Sequence, residues 1–306
     1  MAPPLPRPGH RLLRCPICRL GLDARVDALA CPNEHSFDLA REGYVNLLPG
    51  SRRRPADGGD HPEQLRHRST FLDAGHFDFI TGEIAERLWH AGAMSAGSGL
   101  HVLDAGCGTG HHLASITKAL GAGTTTLGLD ISAAAARMAA RRRPDIAFAV
   151  ADLWADWPLH DASIEVILNI FAPRYFAETA RVLRPGGWLA LVCPEANHLI
   201  ELRRRYRLLG QHGEKARRYR DAASRTIGPA AITRIVRRTT LAPDAIRDIV
   251  LMGPNARHPA PAPLQAEAEP IEVTFDIAVL LVCKRTATRA QKSSRRGKGR
   301  QCFPAP

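Results

Sequence analysis

No stretch of this chain approaches the roughly 20 consecutive apolar residues that a spanning helix needs, so a membrane is not an expected partner. The opening Met1-Ala-Pro-Pro-Leu-Pro-Arg-Pro lacks the apolar core of a secretory signal. Acids are scarce beside bases, 30 against 42, which leaves a formal net charge of +12. That balance points to a polyanionic partner, most often nucleic acid, or to a basic tail on an otherwise ordinary protein. The seven cysteines are an odd number, and Cys107, Cys193, Cys283 and Cys302 are scattered. A disulfide framework is therefore not expected, and a reducing cytoplasm is. There is no internal repeat. Hydrophobic content of 45% over 306 residues is enough to bury a sizeable core.

The chain divides by composition. Residues 1–14 are expected to be a flexible leader and 15–48 a compact metal module. Residues 49–94 begin with an Arg-, Pro- and Gly-rich hinge and continue as a helical segment. Its apolar face is formed by Leu65, Phe71, Leu72, Phe77, Ile80, Ile84 and Leu88. From 95 to 285 strands alternate with helices. Strands are expected at 101–104, 125–130, 147–151, 164–170 and 188–193, and a last one at 272–284. Helices are expected at 112–120, 133–142 and 176–183. Such repetition predicts an α/β fold with a doubly wound parallel sheet. Residues 286–306 read as a disordered basic tail. From Lys284 to Arg300 the chain has eight Lys or Arg and no acid. A second basic cluster, Arg203 to Arg220, is either a solvated helix face or a surface that meets RNA.

Cys15-Pro-Ile-Cys18 and Cys31-Pro-Asn-Glu-His35 have the spacing of two metal knuckles. Each presents two ligands, and together they can close a tetrahedral site on Zn²⁺ through Cys15, Cys18, Cys31 and His35. With four protein ligands no coordination position stays open, so the site is expected to be structural. A module this small has little core, and metal should largely hold it together.

Asp104-Ala-Gly106-Cys-Gly108-Thr109-Gly110 falls where the first strand of the alternation ends and a helix begins. Glycines there allow a tight turn and close approach of backbone to a ligand, at the edge where open α/β sheets bind cofactors. Alone, such a turn could serve a dehydrogenase. Asp130 ends the next strand, where a carboxylate can accept bonds from ribose hydroxyls, or can simply cap a turn. Asp152 follows the third strand, where it can approach an adenine amino group, or act only structurally. Asp-X-Gly-X-Gly-X-Gly with these two acids is the pattern of class I S-adenosylmethionine methyltransferases, and Leu183-Arg-Pro-Gly-Gly-Trp188 is typical of the same class.

Arg41-Glu-Gly-Tyr-Val-Asn-Leu-Leu48 and Phe71-Leu-Asp-Ala-Gly-His-Phe77 narrow the field. With the zinc knuckles ahead of the cofactor domain, the chain resembles the bacterial guanine-N1 methyltransferases of 23S ribosomal RNA over about residues 14 to 285. Gly108-Thr-Gly-His-His-Leu113 and Asn169-Ile-Phe-Ala-Pro-Arg174 look most like the macrolide-resistance branch, exemplified by the tylosin- and mycinamicin-resistance enzymes. The resemblance implies methylation of a 748-type guanine in a hairpin loop of the peptide exit tunnel. It also implies a homodimer whose zinc modules help to form a cleft for 23S rRNA. It places cofactor contacts at Phe77, at Gly106 to Gly110, at Asp130 and Asp152, and at His198 in Pro194-Glu-Ala-Asn-His198-Leu. Phe77 stands where a tyrosine is common, so it keeps the ring and loses the hydroxyl.

For the chemistry, Asn169, Pro173 and Arg174 follow the fourth strand, which borders the transferred methyl in this fold. They either hold the guanine edge or form a structural turn. Glu195 is a candidate base by position. Two other readings stay open on sequence alone. One is a methyltransferase for a small molecule, which the zinc knuckles and charge disfavour. The other is a non-catalytic RNA-binding protein, which the intact glycine turn disfavours.

Overall fold

The computed structural model describes residues 5–48, 59–93, 99–121, 123–209, 214–253, 264 and 268–286. Most of the expected hinge and all but the first residue of the basic tail lie outside these. Four short strands come first: β1 (Asp23–Ala24), β2 (Ala28–Ala30), β3 (Ser36–Asp38) and β4 (Tyr44–Asn46). Two helices follow, α1 (Pro62–Asp73) and α2 (Asp78–His90). The alternation is β5 (His101–Ala105), α3 (His111–Leu120), β6 (Thr125–Asp130), α4 (Ala133–Arg142), β7 (Ala147–Val150), β8 (Ile164–Ile170), α5 (Phe176–Val182) and β9 (Leu183–Pro194). It closes with α6 (Ile200–Tyr206), α7 (Lys215–Thr226), β10 (Ala230–Leu241), α8 (Pro243–Leu251) and β11 (Ile271–Cys283).

Eight strands form one sheet in the order β10-β11-β9-β8-β5-β6-β7-β4. From β9 to β4 all neighbours are parallel, while β11 runs antiparallel to both β9 and β10. This is the class I methyltransferase sheet with one strand added beyond β7. The order reverses between β5 and β8, so the chain leaves adjacent strand ends in opposite directions there and opens a crevice at their carboxyl ends. Both faces of β5 to β9 are apolar, as expected for strands covered by helices.

The sequence reading expected a parallel sheet and did not place α6, α7, β10 or α8, and three further local outcomes differ from it. The helical segment is two helices, broken at Ala74 to Phe77, where Gly75 takes φ +79°. The break turns Phe77 into the core beside Ile80 and Ile84. The expected leader is folded: Pro8–Leu12 is a 3-10 turn laid against β6 and β7. A Cβ on Gly9 would stand 2.1 Å from the Thr126 carbonyl oxygen, so only glycine lets the turn lie this close. Arg7 then donates to the carbonyls of Ile146 (2.6 Å), Glu42 (2.7 Å) and Ala140 (3.3 Å).

The third difference concerns the metal module. β4 pairs in parallel with β7, Tyr44 opposite Phe148, so the module continues the main sheet. Leu13, Leu22, Leu29, Leu39, Val45 and Leu47 pack in the same core as Leu103, Leu127, Trp157 and Leu159. Arg14 N–H donates to the Pro158 carbonyl at 3.0 Å, and Arg19 pairs with Asp156. Metal is thus not the module's sole support.

Leu13 is fully buried and Leu5 is 72% exposed. In denaturant unfolding, Leu13→Ala should cost about 2–5 kcal/mol. Leu5→Ala, eight residues earlier in the same segment, should stay within about 0.5 kcal/mol of wild type.

Candidate active site and metal centre

The two knuckles share a backbone design. Arg19 N–H donates back to the Cys15 carbonyl at 2.9 Å, and Glu34 N–H to the Cys31 carbonyl at 2.9 Å. Arg19 and Glu34 both adopt positive φ, +65° and +62°, which reverses the chain after each pair of ligands. The ligand atoms of Cys15, Cys18, Cys31 and His35 lie within 4.8 Å of one another. Cys18 Sγ is 3.5 Å from Cys31 Sγ, and His35 Nδ1 is 3.3 Å from Cys31 Sγ and 3.7 Å from Cys15 Sγ. Ligands about 2.0–2.3 Å from a tetrahedral zinc ion are spaced much like this, and three thiolates with one imidazole are its preferred donors. The residues fit a structural zinc ion, with Cys15 and Cys31 buried against the sheet.

The second cluster lies at the carboxyl ends of β5 and β6. Gly106, Gly108 and Gly110 all take positive φ, +95°, +52° and +77°. Gly106 is pressed against the turn after β8, where a Cβ would stand 2.3 Å from Ala172 Cβ. Asp130 closes the glycine turn: Gly108 N–H and Ser132 N–H each donate to its carboxylate at 2.8 Å. Burial raises the Asp130 carboxyl above its ordinary range, against those two bonds. Asp104 is 2% exposed, and its Oδ1 has no partner. Burial first, and the Asp130 charge second, push its carboxyl up to about 8. Thr109 Oγ1 is also buried without a partner. Two orphaned polar atoms in a cradle of left-handed glycines fit a cofactor that brings its own cation and donors, as the ammonium and hydroxyls of S-adenosylmethionine would.

Asn169, the last residue but one of β8, faces this cradle. Its Nδ2 donates to the Ala105 carbonyl (3.0 Å) and the Pro173 carbonyl (2.7 Å). Because both partners are acceptors, the amide orientation is fixed, and Oδ1 is left as a buried acceptor without a partner. Pro173 therefore positions Asn169. Arg174 turns away: its guanidinium donates to the Ala172 carbonyl and lies 4.1 Å from the Tyr219 ring centroid. Asp152 sits after β7, where its Oδ1 accepts from Trp154 N–H at 2.9 Å.

On the other side of the crevice Phe77 is 2% exposed, within an aromatic cluster of Phe71, Phe79, Phe171, Phe275 and His198. Most of its ring faces other rings, which leaves a ligand little beyond an edge. The His198 pKa is lowered to about 4, chiefly by burial. Asp276 N–H donates to His198 Nδ1 at 3.3 Å, so the neutral ring carries its proton on Nε2. Asp276 is fully buried and paired with Arg234 at 2.7 Å and 2.8 Å. Its Oδ2 also accepts from Asn197 N–H at 3.1 Å, and its carbonyl accepts from Glu195 N–H at 2.9 Å. The loop that carries Glu195 and His198 is thus pinned to β11.

Asp104, Thr109, the glycines, Asp130 and Asn169 are brought together, and Phe77 and His198 share a second wall. Sequence reasoning missed Asp276, Arg234, Phe171 and Phe275. A lone acid in an apolar run, Phe275-Asp276-Ile277, was the one available signal for Asp276.

Purified protein should contain one zinc ion per chain by elemental analysis. Cys18→Ser or His35→Ala should lose most of it, whereas Cys193→Ala, away from the cluster, should retain it.

Comparison with known proteins finds matches over the spans that carry the two clusters. The family model described as RlmA, N-terminal, a zinc ribbon, matches residues 13–55, and the model described as Methyltransferase domain matches residues 102–187. A protein of Micromonospora griseorubida named for guanine-N1 methylation of 23S rRNA is 41% identical over 280 residues, covering 86% of this chain and 94% of its own. The 23S rRNA (guanine(748)-N(1))-methyltransferase of Streptomyces fradiae is 38% identical, covering 90% of this chain and 97% of its own. The protein YxjB of Bacillus subtilis, also named for guanine-N1 methylation of 23S rRNA, is 33% identical, covering 89% and 97%. The chain belongs to the family of 23S rRNA (guanine-N1)-methyltransferases.

Proposed function

We propose that this protein methylates N1 of an unpaired guanine in 23S rRNA, at the 748-type position of an exit-tunnel hairpin loop. The mark would reduce binding of macrolides such as tylosin or mycinamicin. The observation that carries this reading is that kinship with the rRNA enzymes runs through the ribbon and the glycine turn alike, over 94% of the Micromonospora relative. In this reading the protein works in the cytoplasm as a homodimer, and the folded domains are the ribbon and the methyltransferase sheet.

When bound, S-adenosylmethionine supplies an electrophilic methyl carbon on its sulfonium. The ionised Asp104 carboxylate would hold the ammonium, and Thr109 with the Gly106, Gly108 and Gly110 backbone would hold the tail. The lone pairs that Asp130 has not given to backbone N–H groups would accept ribose hydroxyls, and Asp152 the adenine amino group. Phe77 and His198 would close the pocket, His198 donating through Nε2. On the acceptor side, N1 sits on the Watson–Crick edge, so the guanine must be unpaired and turned out of the loop. Asn169 Oδ1 would accept from the guanine edge, and Pro173 keeps it aimed. Guanine N1–H is a weak acid, and Glu195 would take its proton as the N1–C bond forms and the methyl–sulfonium bond breaks, the electron pair staying on sulfur in the departing thioether. Orienting the two reactants in line contributes much of the rate.

The direct test is transfer of labelled methyl to unmodified 23S rRNA, followed by primer extension. A polymerase stop beside the exit-tunnel hairpin guanine supports the proposal, and absence of transfer by protein that binds the cofactor rejects it. Glu195→Gln should lower kcat by about 100-fold or more with KM little changed. An unaltered kcat would remove Glu195 from the mechanism.

Asp104 also gives a pH dependence with a defined sign. Burial and the Asp130 charge push its carboxyl up to about 8 in the free protein, and it must ionise to hold a cation. Binding then releases a proton, so affinity for S-adenosylmethionine, measured by calorimetry, should rise between pH 6 and 7.5 by up to about tenfold per unit. Asp104→Asn should bind more weakly and without that slope.

A further inference from the structure

Phe171 lies between Asn169 and Pro173, and the mechanism leaves it without a task. It follows the last residue of β8, next to the glycine turn, and is 37% exposed although large and apolar. Its φ is +52°, a left-handed conformation that is uncommon for a bulky residue and points to function when the surroundings enforce it. Here they do. Phe171 N–H donates to the Val192 carbonyl at 3.1 Å. Ala172 is wedged against Gly106, the Ala172 carbonyl accepts from Arg174, and the Pro173 carbonyl accepts from Asn169. These bonds hold the backbone on both sides of Phe171, and the ring stays partly open to solvent. Its ring centroid is 5.7 Å from Phe77 and 6.1 Å from His198. Behind that pair Arg237 lies 5.3 Å from the Phe79 ring centroid.

An exposed ring fixed beside a buried, unpartnered amide acceptor and a cofactor cradle suits one flat, donor-edged occupant. We propose that Phe171 is the platform on which the target guanine stacks once it leaves the loop, its edge directed at Asn169. This rests on the guanine-methylating reading above and names the residue that receives the base. The left-handed turn keeps the ring in place before RNA arrives.

The test uses the full chain and two RNA hairpins, one with the target guanine and one abasic at that position. Phe171→Leu keeps apolar bulk and the same backbone demand but removes the aromatic face. It should weaken binding of the guanine hairpin about 10- to 100-fold, while affinities for the abasic hairpin and for S-adenosylmethionine stay at wild type. Phe171→Trp should restore most of the guanine-dependent affinity. Equal loss on both hairpins, no loss on either, or an equal loss of cofactor affinity would overturn the proposal. The last outcome would assign the ring to the cofactor pocket. Wild-type protein that fails to methylate the guanine hairpin, yet discriminates it from the abasic one through Phe171, would instead reject the guanine-methylating reading.

Discussion

The contact between Gly106 and Ala172 is the constraint from which the site follows. Two adjacent parallel strands, β5 and β8, end at the point where the sheet order reverses, and their turns meet with no room for a methyl group on Gly106. One turn carries the left-handed glycines, Asp104 and Thr109. The other carries Asn169, Phe171 and Pro173. Pressing them together puts the glycine turn and the Asn169–Pro173 turn on opposite sides of one contact. Asp104 Oδ1, Thr109 Oγ1 and Asn169 Oδ1 are buried beside this contact without a protein partner, and a ligand with matching groups would gain by pairing with them.

A second relation joins the ribbon to the catalytic sheet. β4 extends the sheet past β7, and the ribbon's leucines fill the face of the sheet that helices would otherwise cover there. Arg14, Arg181, Asp161 and Glu178 form a charge network beneath this joint, with Arg181 between the two acids. Arg14 and Arg19 bond to residues of the 156–161 loop, so the zinc cluster has a fixed orientation relative to the end of the sheet. A large RNA that touches the ribbon would then meet the crevice at a set distance, which an independent module on a flexible linker could not provide.

Much of this was legible in the sequence because the signals are local. Knuckle spacing, the glycine turn and the strand-ending acids each need only a few adjacent residues, and the regular βα alternation fixes which edge of the sheet they share. What escaped reading depended on distant partners. The segment before Cys15 has proline-rich composition, yet Gly9 and Arg7 dock it on β6, β7 and α4. β10 shows no clean alternation because it is an edge strand with one face only partly covered, and Arg234, Arg237 and Arg238 interrupt its apolar residues. Asp276 drew no reading within its strand, because its role depends on Arg234, forty-two positions earlier, and on the 194–199 loop. The turn at Ala74 to Phe77 sat inside a continuous helical pattern, and Gly75 alone did not announce where the chain would bend.

The most direct measurement is the identity of the methylated atom. 23S rRNA treated with the protein and isotopically labelled S-adenosylmethionine would be digested to nucleosides and analysed by mass. Guanine-N1 methylation puts the label in N1-methylguanosine, one per rRNA molecule. Label in N2- or N7-methylguanosine, or in another base, would contradict it, because the crevice would then present a different edge of the nucleotide to the cofactor.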